Sequence, residues 1–509
     1  MTSQIKQVIR LHPADNILVA LEDLEAGAVL AEGLATAREN IPAGHKIAVD
    51  RIDAGRPVYK YGQIIGMAAQ EIKPGQHVHV HNLAFGEFER ESAPVGAQPN
   101  AARISKREQA TFDGIVRADG RVATRNYIGV VSTVSCSASV ARFIASAVTQ
   151  DLLARYPQVD GVMAITHGSG CCQAPGSEGL DILQRTLAGF TRHPNFGGLL
   201  LVGLGCETNL VENLMETQGL EAGATLQPLT IQTTGGTRTT VEKGVAAIAA
   251  MLPQVNQVTR QSVSAEHLVL GMECGGSDAY SGITANPALG VAADLLVQQG
   301  GTAILSETPE IYGAEHLLTQ RAINPAIAEK LLRRIQWWEA YTRDHGCTIN
   351  NNPTPGNKAG GLTTILEKSL GTVSKGGSTP LMDVYRYAAP VTTKGLVFMD
   401  TPGYDVVSIT GMIAGGANMI CFTSGRGTVC GFKPVPTLKL ASNSPMFRQL
   451  QDDMDINCGL IADGETTLEE MGQQIFDRIL QVASGEPAKS EILGFGDHEF
   501  VPWQLGAVL

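Results

Sequence analysis

Four related phrases set the rhythm of the first ninety residues: Leu24-Glu-Ala-Gly27-Ala-Val29, Ile41-Pro-Ala-Gly44-His-Lys-Ile47, Ile52-Asp-Ala-Gly55-Arg-Pro-Val58 and Ile72-Lys-Pro-Gly75-Gln-His-Val78. Each has an apolar residue, a turn with glycine in fourth place and a second apolar residue two or three positions on. That pattern predicts short strands joined by tight turns, hence a small β-rich domain over residues 1–90. Between Glu91 and Ala110 the periodicity fades and Pro, Gly, Ala and Ser accumulate, as in a linker. Beyond Thr111, compact apolar runs alternate with helical patterns. Residues 161–167, 198–204, 268–272 and 395–399 read as strands buried on both faces; 140–155, 286–299 and 326–343 read as helices. This alternation predicts an α/β body with mainly parallel sheets and right-handed crossovers, divided into domains at 111–265 and 266–509.

Composition narrows the function. At 509 residues, 43% hydrophobic and 17% charged, the chain can bury several cores. A net charge of -12 argues against nucleic acid or an anionic membrane as partner and leaves room for a local basic pocket that takes an anionic metabolite. No signal-peptide pattern or membrane-length apolar run is evident, so a cytoplasmic location is expected. Nine cysteines without a secretory signal read as thiols or metal ligands rather than a disulfide framework.

The densest chemistry lies in Gly271-Met-Glu-Cys-Gly-Gly-Ser-Asp278, which follows an apolar strand and precedes a helix opening near Asn286-Pro287. Open α/β sheets place their sites at such strand ends. Glycines 275 and 276 would let a ligand approach the backbone amides closely, although the same residues also suit a plain turn. In His77-Val-His-Val-His81 the imidazoles share one strand face and can meet a metal only if the strand bends or other groups join. His12, Asp15, His45, Lys46, Lys60 and Tyr61 supply further polar candidates in the same unit. Cys136, Cys171, Cys206 and Cys274 each follow a strand-like run. Gathered at one rim they could hold iron or an iron–sulfur cluster; four separate buried thiols are the plain alternative. Cys172, Cys347, Cys421, Cys430 and Cys458 read as structural, and 347–362 as a functional loop.

These motifs occur in order. His12-Pro-Ala-Asp-Asn16, Gly44-His-Lys46, Lys60-Tyr-Gly62, His77 to Asn82, Arg117-Ala-Asp-Gly120, Gly203-Leu-Gly-Cys-Glu207, Glu273 to Asp278, Asn352-Pro-Thr-Pro-Gly-Asn-Lys358 and Thr423-Ser-Gly-Arg-Gly-Thr428 together resemble the altronate/galactarate dehydratase family along almost the whole chain. The resemblance implies a SAF-type β-clip domain fused to the α/β body. It also implies a sugar-acid dehydratase that depends on iron(II), replaceable by manganese(II). His77 to Asn82 and Glu307 to Glu315 are closer to the altronate branch, whereas the doubled Cys171-Cys172 and Val429-Cys430 depart from the family pattern.

In such a reaction a base removes the C2 proton and the C3 hydroxyl leaves as water, so proton-transfer groups, a carboxylate clamp and a metal are needed. His45, Lys46, Tyr61, Asp278 and Lys358 are the candidates for proton transfer. Gly275, Gly276, Ser277, Asn286, Asn357 and Arg426 are those for substrate binding, with Arg426 placed for a bidentate carboxylate contact. His12, His79, His81, Cys136, Cys171, Cys206 and Cys274 are those for metal. The expected site is composite: the first domain covers the α/β rim and brings Lys46 towards Asp278 and Lys358, while each part keeps its own core. A small sugar acid is the expected partner, in a homo-oligomer. Sulfolactate elimination is the alternative reaction, and an iron or thiol sensor is the non-enzymatic alternative.

Overall fold

The four glycine phrases each close a turn. Gly27, Gly44, Gly55 and Gly75 have φ of 92°, 82°, 78° and 83°. The following amide in each case bonds at 3.0 Å to a carbonyl three residues back, from Ala28 to Glu25, His45 to Pro42, Arg56 to Asp53 and Gln76 to Lys73. A positive φ at the third position is what a type II turn requires and what glycine adopts without strain. This computed structural model describes residues 7–30, 35–86, 104–105 and 108–505, so the expected linker falls mostly outside the described residues.

The first domain contains β1 (Val8–Ile9), β2 (Ile17–Ala20), β3 (Lys46–Ala48), β4 (Pro57–Lys60), β5 (Gln63–Ala68), β6 (His77–Val78) and β7 (Leu83–Ala84). They form antiparallel sheets of order β1-β2-β3-β6 and β4-β5-β7. The histidine strand is shorter than expected. It ends at Val78, and the chain turns where the His79 amide donates to Asn82 Oδ1 at 2.9 Å and the Asn82 amide donates back to the His79 carbonyl at 3.0 Å.

The body has two parallel sheets. In the middle part lie β8 (Thr111–Val116), β9 (Val122–Ala123), β10 (Tyr127–Ser132), β11 (Gly161–Ile165), β12 (Phe196–Gly203), β13 (Leu226–Thr230) and β14 (Arg260–Ser264). Four of these form a parallel sheet of order β11-β10-β12-β13, and β14-β8-β9 form a small antiparallel one. The last part adds β15 (Val269–Cys274), β16 (Thr302–Leu305), β17 (Leu381–Tyr385), β18 (Gly395–Met399), β19 (Met419–Ser424), β20 (Thr437–Ala441) and β21 (Ile456–Asn457). These make a seven-stranded parallel sheet of order β17-β18-β16-β15-β19-β20-β21.

Helices Ala285–Gln298 and Pro325–Asp344 lie where the pattern put them. The one expected over 140–155 is two, Ala138–Ser146 and Gln150–Leu153, because Thr149 restarts the chain as a new N-cap that accepts from the Leu152 amide. Among the described residues no helix is long and apolar enough to cross a membrane.

The parts do not keep separate cores. Ile17, Val19, Ala48, Val58, Ile65 and Val78 of the first domain belong to one buried cluster with Leu268, Leu289, Leu305 and Leu370 of the last. A second cluster joins Leu187 and Phe190 of the middle part to Met412 and Phe422. Gly189 makes that approach close, since a Cβ there would lie 2.2 Å from the Ala414 carbonyl oxygen. The expectation that the first domain could be removed from an independent body is corrected by this shared packing.

Candidate active site and metal centre

Three imidazoles converge at the junction of the first domain with the last. His45 leaves the Gly44 turn into β3, His77 opens the neighbouring β6, and the turn after Val78 swings His79 back onto the same point. His45 Nδ1 and His77 Nε2 share a hydrogen bond of 2.9 Å, and His79 stacks on His77 with ring centroids 5.3 Å apart. One nitrogen from each lies within 4.8 Å of the others. Burial, then neighbouring positive charge, pushes His77 down to about 3 and His79 down to about 4. Both rings are therefore neutral near pH 7 and carry free lone pairs, the state a metal ligand needs. His79 Nδ1 is buried without a partner. Three neutral imidazoles with an orphaned nitrogen fit a divalent transition metal such as iron(II).

Two histidines expected as ligands fall outside the triad. His81 is exposed, its ring 5.5 Å from that of His77, because the turn at His79 ends the alternation that would have aligned it. His12 is also exposed; its Nδ1 accepts from the Ala14 amide and its ring packs over Gly62, where a Cβ would lie 2.7 Å away.

Directly beneath the triad, Lys46, Lys60 and Glu367 form a fully buried ionic group. Lys46 Nζ donates to the Gly361 carbonyl at 2.6 Å and to both Glu367 oxygens at 2.9 and 3.1 Å; Lys60 Nζ donates to Glu367 at 2.9 Å. Burial drags Lys46 from an ordinary 10.5 to about 8, opposed by Glu367. The two ammoniums hold Glu367 far below the usual carboxylate range despite its burial. All three Lys46 donors are used, so the group expected to transfer protons fastens the first domain to the last. Tyr61 sits beside it at φ 59°, a strained angle for tyrosine, with its amide and that of Gly62 bound to Asp15. Its hydroxyl lies where a Cβ on Gly282 would be, at 2.6 Å, and burial raises its pKa. Tyr61 thus packs at the interface.

The glycine-rich strand end opens onto two clefts. The first, of about 520 Å³, is lined by Asp278, Tyr280, Ala359, Gly360, Gly425, Arg426, Asn443, Arg448 and Asp463, with Leu21 and Ala43 from the first domain. His45 borders it, with Nε2 3.4 Å from the Ala359 carbonyl. Asp278 accepts from the Ser281 amide and hydroxyl, Ser442 Oγ and Asn443 Nδ2 at 2.7 to 2.9 Å. Glycine at 425 leaves room for that carboxyl, which a Cβ would meet at 2.1 Å. Asp278 is a buried tie rather than a free acid, and burial, partly offset by these bonds, raises its pKa. Asn357 donates to the Ser277 carbonyl at 2.8 Å and closes a capping box with Thr354, while Asn286 bridges the Gly371 carbonyl and Thr423. Lys358, half-buried on helix Pro355–Ala359, makes no ion pair among the described residues.

The second cleft, of about 410 Å³, is lined by Gly275, Gly276, Glu310, Asn352, Asn357, Lys368, Tyr404 and Asp405. Beneath it lies a charged cluster that the sequence reading missed. Lys375 pairs with Glu307 at 2.8 Å and Lys368 with Glu310 at 2.8 Å, while Cys274 Sγ lies 3.4 Å from Glu307 and 3.5 Å from Glu310. Glu273, Glu307 and Asp405 also bring oxygens within 4.8 Å of one another. Burial and the Glu307 charge push Glu273 well above the usual carboxylate range and Asp405 up to about 7. Four acids facing two lysines cannot all ionise without cost, so protons are retained. The available signal was charge on an otherwise apolar helix, since Glu367, Lys368 and Lys375 punctuate Ile365-Leu-Glu-Lys-Ser-Leu-Gly-Thr-Val-Ser-Lys375.

The thiols divide. Cys136, Cys171 and Cys206 are exposed on loops after β10, β11 and β12, whereas Cys274 is buried in the other parallel sheet. Cys274 therefore does not share their rim. Burial raises its thiol to about 12.

Three family models match the chain. The altronate/galactarate dehydratase SAF domain covers residues 6–86, the D-galactarate dehydratase/altronate hydrolase second domain 114–256, and the D-galactarate/altronate dehydratase C-terminal region 265–508. The chain is 37% identical to galactarate dehydratase (L-threo-forming) of Escherichia coli K12, over 94% of its own length and 93% of the relative's. It is 34% identical to altronate dehydratase of Bacillus subtilis 168, over 96% and 97%. To the (2R)-sulfolactate sulfo-lyase beta subunit of Chromohalobacter salexigens it is 30% identical, over 78% and 97%.

Proposed function

The chain belongs to the altronate/galactarate dehydratase family, a family of sugar-acid hydro-lyases, and on that premise we propose that it converts D-altronate to 2-keto-3-deoxy-D-gluconate. The observation that carries this reading is the imidazole triad of the first domain set beside a polar cleft of the last domain that holds Arg426. A divalent iron held by His45, His77 and His79 would supply Lewis-acid stabilisation of negative charge developing at the substrate's C1 and C2 oxygens. Arg426 binds the carboxylate. Lys358, free of an ion pair on the turn that meets His45, takes the C2 proton; the C3 hydroxyl leaves with a proton as water, and the enol tautomerises to the 2-keto-3-deoxy acid. Asp278 holds the Ser442-Asn443 wall in place, and the Lys46–Glu367–Lys60 group fixes the triad against helix Pro355–Ala359. Closing one domain on the other keeps water from the enol.

One observation favours galactarate as a second reading. Arg448 lines the same cleft as Arg426, and two guanidiniums suit an acid with a carboxylate at each end. The test is an anaerobic assay of iron-loaded protein against D-altronate, galactarate and (2R)-sulfolactate, measuring 2-keto-3-deoxy product and released sulfite. Turnover of galactarate or sulfolactate with none of altronate would remove the substrate assignment and leave the family intact.

A further inference from the structure

Free cysteine is among the residues most often buried, and Cys274, Cys421 and Cys458 behave that way here. Cys136, Cys171, Cys172 and Cys206 do not; all four are exposed, and all lie at the carboxyl edge of the middle sheet. Strand order β11-β10-β12 sets the loops bearing Cys171, Cys136 and Cys206 side by side.

The loops are tied to one another rather than merely adjacent. The Ser135 amide donates to the Ser169 carbonyl at 2.9 Å. The Thr208 amide and hydroxyl both donate to the Cys171 carbonyl, at 2.9 and 2.8 Å, and Asn209 Nδ2 donates to the Thr133 carbonyl at 2.9 Å. Glu207 turns its carboxylate back onto the amides of Leu204, Gly205 and Cys206 at 2.6 to 3.0 Å, which fixes the loop that carries the third thiol. Cys171 and Cys206 each follow a glycine of positive φ, 97° at Gly170 and 119° at Gly205. A Cβ at Gly170 would lie 2.5 Å from the Thr133 carbonyl oxygen, so that glycine is what lets the second loop close on the first. The thiols interact: the Cys171 pKa is raised first by its hydrogen bond and charge interaction with Cys172 and also by Cys136. A bound cation would reverse that mutual repulsion.

We propose that Cys136, Cys171 and Cys206 hold an iron–sulfur cluster of the four-iron type, on a site distinct from the imidazole triad. Thiolates on three separate loops suit a multinuclear centre, which spaces its ligands wider than a single ion does. Among the described residues these three do not reach the 4.8 Å mutual spacing that marks the imidazole triad. Cys172 lies outside the ligand set. Its sulfur is 3.7 Å from that of Cys171, close to the ~3.8 Å between two thiolates on one tetrahedral ion with 2.3 Å bonds, not on two irons of a cluster. Three thiolates leave one iron without a cysteine ligand at an exposed rim, which makes the cluster sensitive to oxygen.

The experiment is anaerobic reconstitution of the full chain with ferrous iron and sulfide, followed by desalting, iron and acid-labile sulfide analysis, visible absorption and electron paramagnetic resonance after dithionite. About four irons and four sulfides should be retained beyond any mononuclear iron, with a visible band that bleaches on reduction. Cys136→Ser, Cys171→Ser and Cys206→Ser should each abolish sulfide retention. Cys172→Ser, Cys274→Ser and His77→Ala should keep it, with far-UV circular dichroism confirming that each variant is folded. No retained sulfide, metal retained without sulfide, or a cluster that survives the three serine variants would each overturn the assignment. None of these outcomes depends on which sugar acid is the substrate.

Discussion

Glu367→Gln is the sharpest perturbation of the domain junction. Glutamine has nearly the shape of glutamate and keeps an acceptor for Lys60, yet it removes the one negative charge that two fully buried ammoniums share. Breaking a buried pair by taking away one partner costs about 3–5 kcal/mol, because the remaining charge is left uncompensated in a poorly polarisable interior. The second ammonium does not double this. Lys46 already sits at about 8 and can shed its proton at modest cost, whereas Lys60 is held above its ordinary value by Glu367 and loses that support.

At about 2.1 cal/mol/K per residue, a 509-residue chain melting as one unit has an unfolding entropy near 1 kcal/mol/K, so the loss corresponds to a fall in Tm of about 3–5 °C. Differential scanning calorimetry reads it, and hydrogen exchange over β3 and β4 should rise in the same variant. The triple variant Lys46→Met, Lys60→Met, Glu367→Leu fills similar volume without charge and should recover most of the loss. A Glu367→Gln protein melting within about 1 °C of the parent would refute the role given to the triad.

Other outcomes follow from the same geometry. His77→Ala or His79→Ala should weaken iron(II) binding by at least about 100-fold, beyond the 10–100-fold that outer partners of a metal ligand contribute; titration with metal analysis reads it. Because both imidazoles are held below their ordinary 6.5, the unfolded chain binds their protons first, so stability should fall as pH drops from about 6.5 towards 4. Asp405 behaves oppositely. Raised from 3.8 to about 7, it stays protonated in the folded chain while the unfolded chain ionises, so stability falls as pH rises from about 4 to 7, and Asp405→Asn should raise Tm more at pH 8 than at pH 5. A chain starting at residue 104 should be insoluble, since it strips one side from the shared core and leaves Glu367 buried without either lysine; a soluble, melting truncation would contradict this.

Local chemistry by itself determined a good deal. The four turns of the first domain were legible because only glycine takes their positive φ without strain, and β18 and helix Ala285–Gln298 because a run buried on both faces or a helical stripe carries its own period. The ordered motifs identified the family. Tertiary structure decided which candidates meet. Alternation in His77 to His81 pointed to three imidazoles on one strand; a two-residue strand and the Asn82 turn substituted His45, more than thirty positions away, for His81. Lys46 and Lys60 read equally well as surface cations until Glu367, over three hundred residues on, was packed between them. Cys274 follows a strand like the other thiols, but strand order assigned it to a different sheet and buried it among carboxylates. Burial and charge pairing are properties of residues brought together from distant parts of the chain, and no local pattern encodes the partner that makes a lysine a fastener or a histidine a ligand.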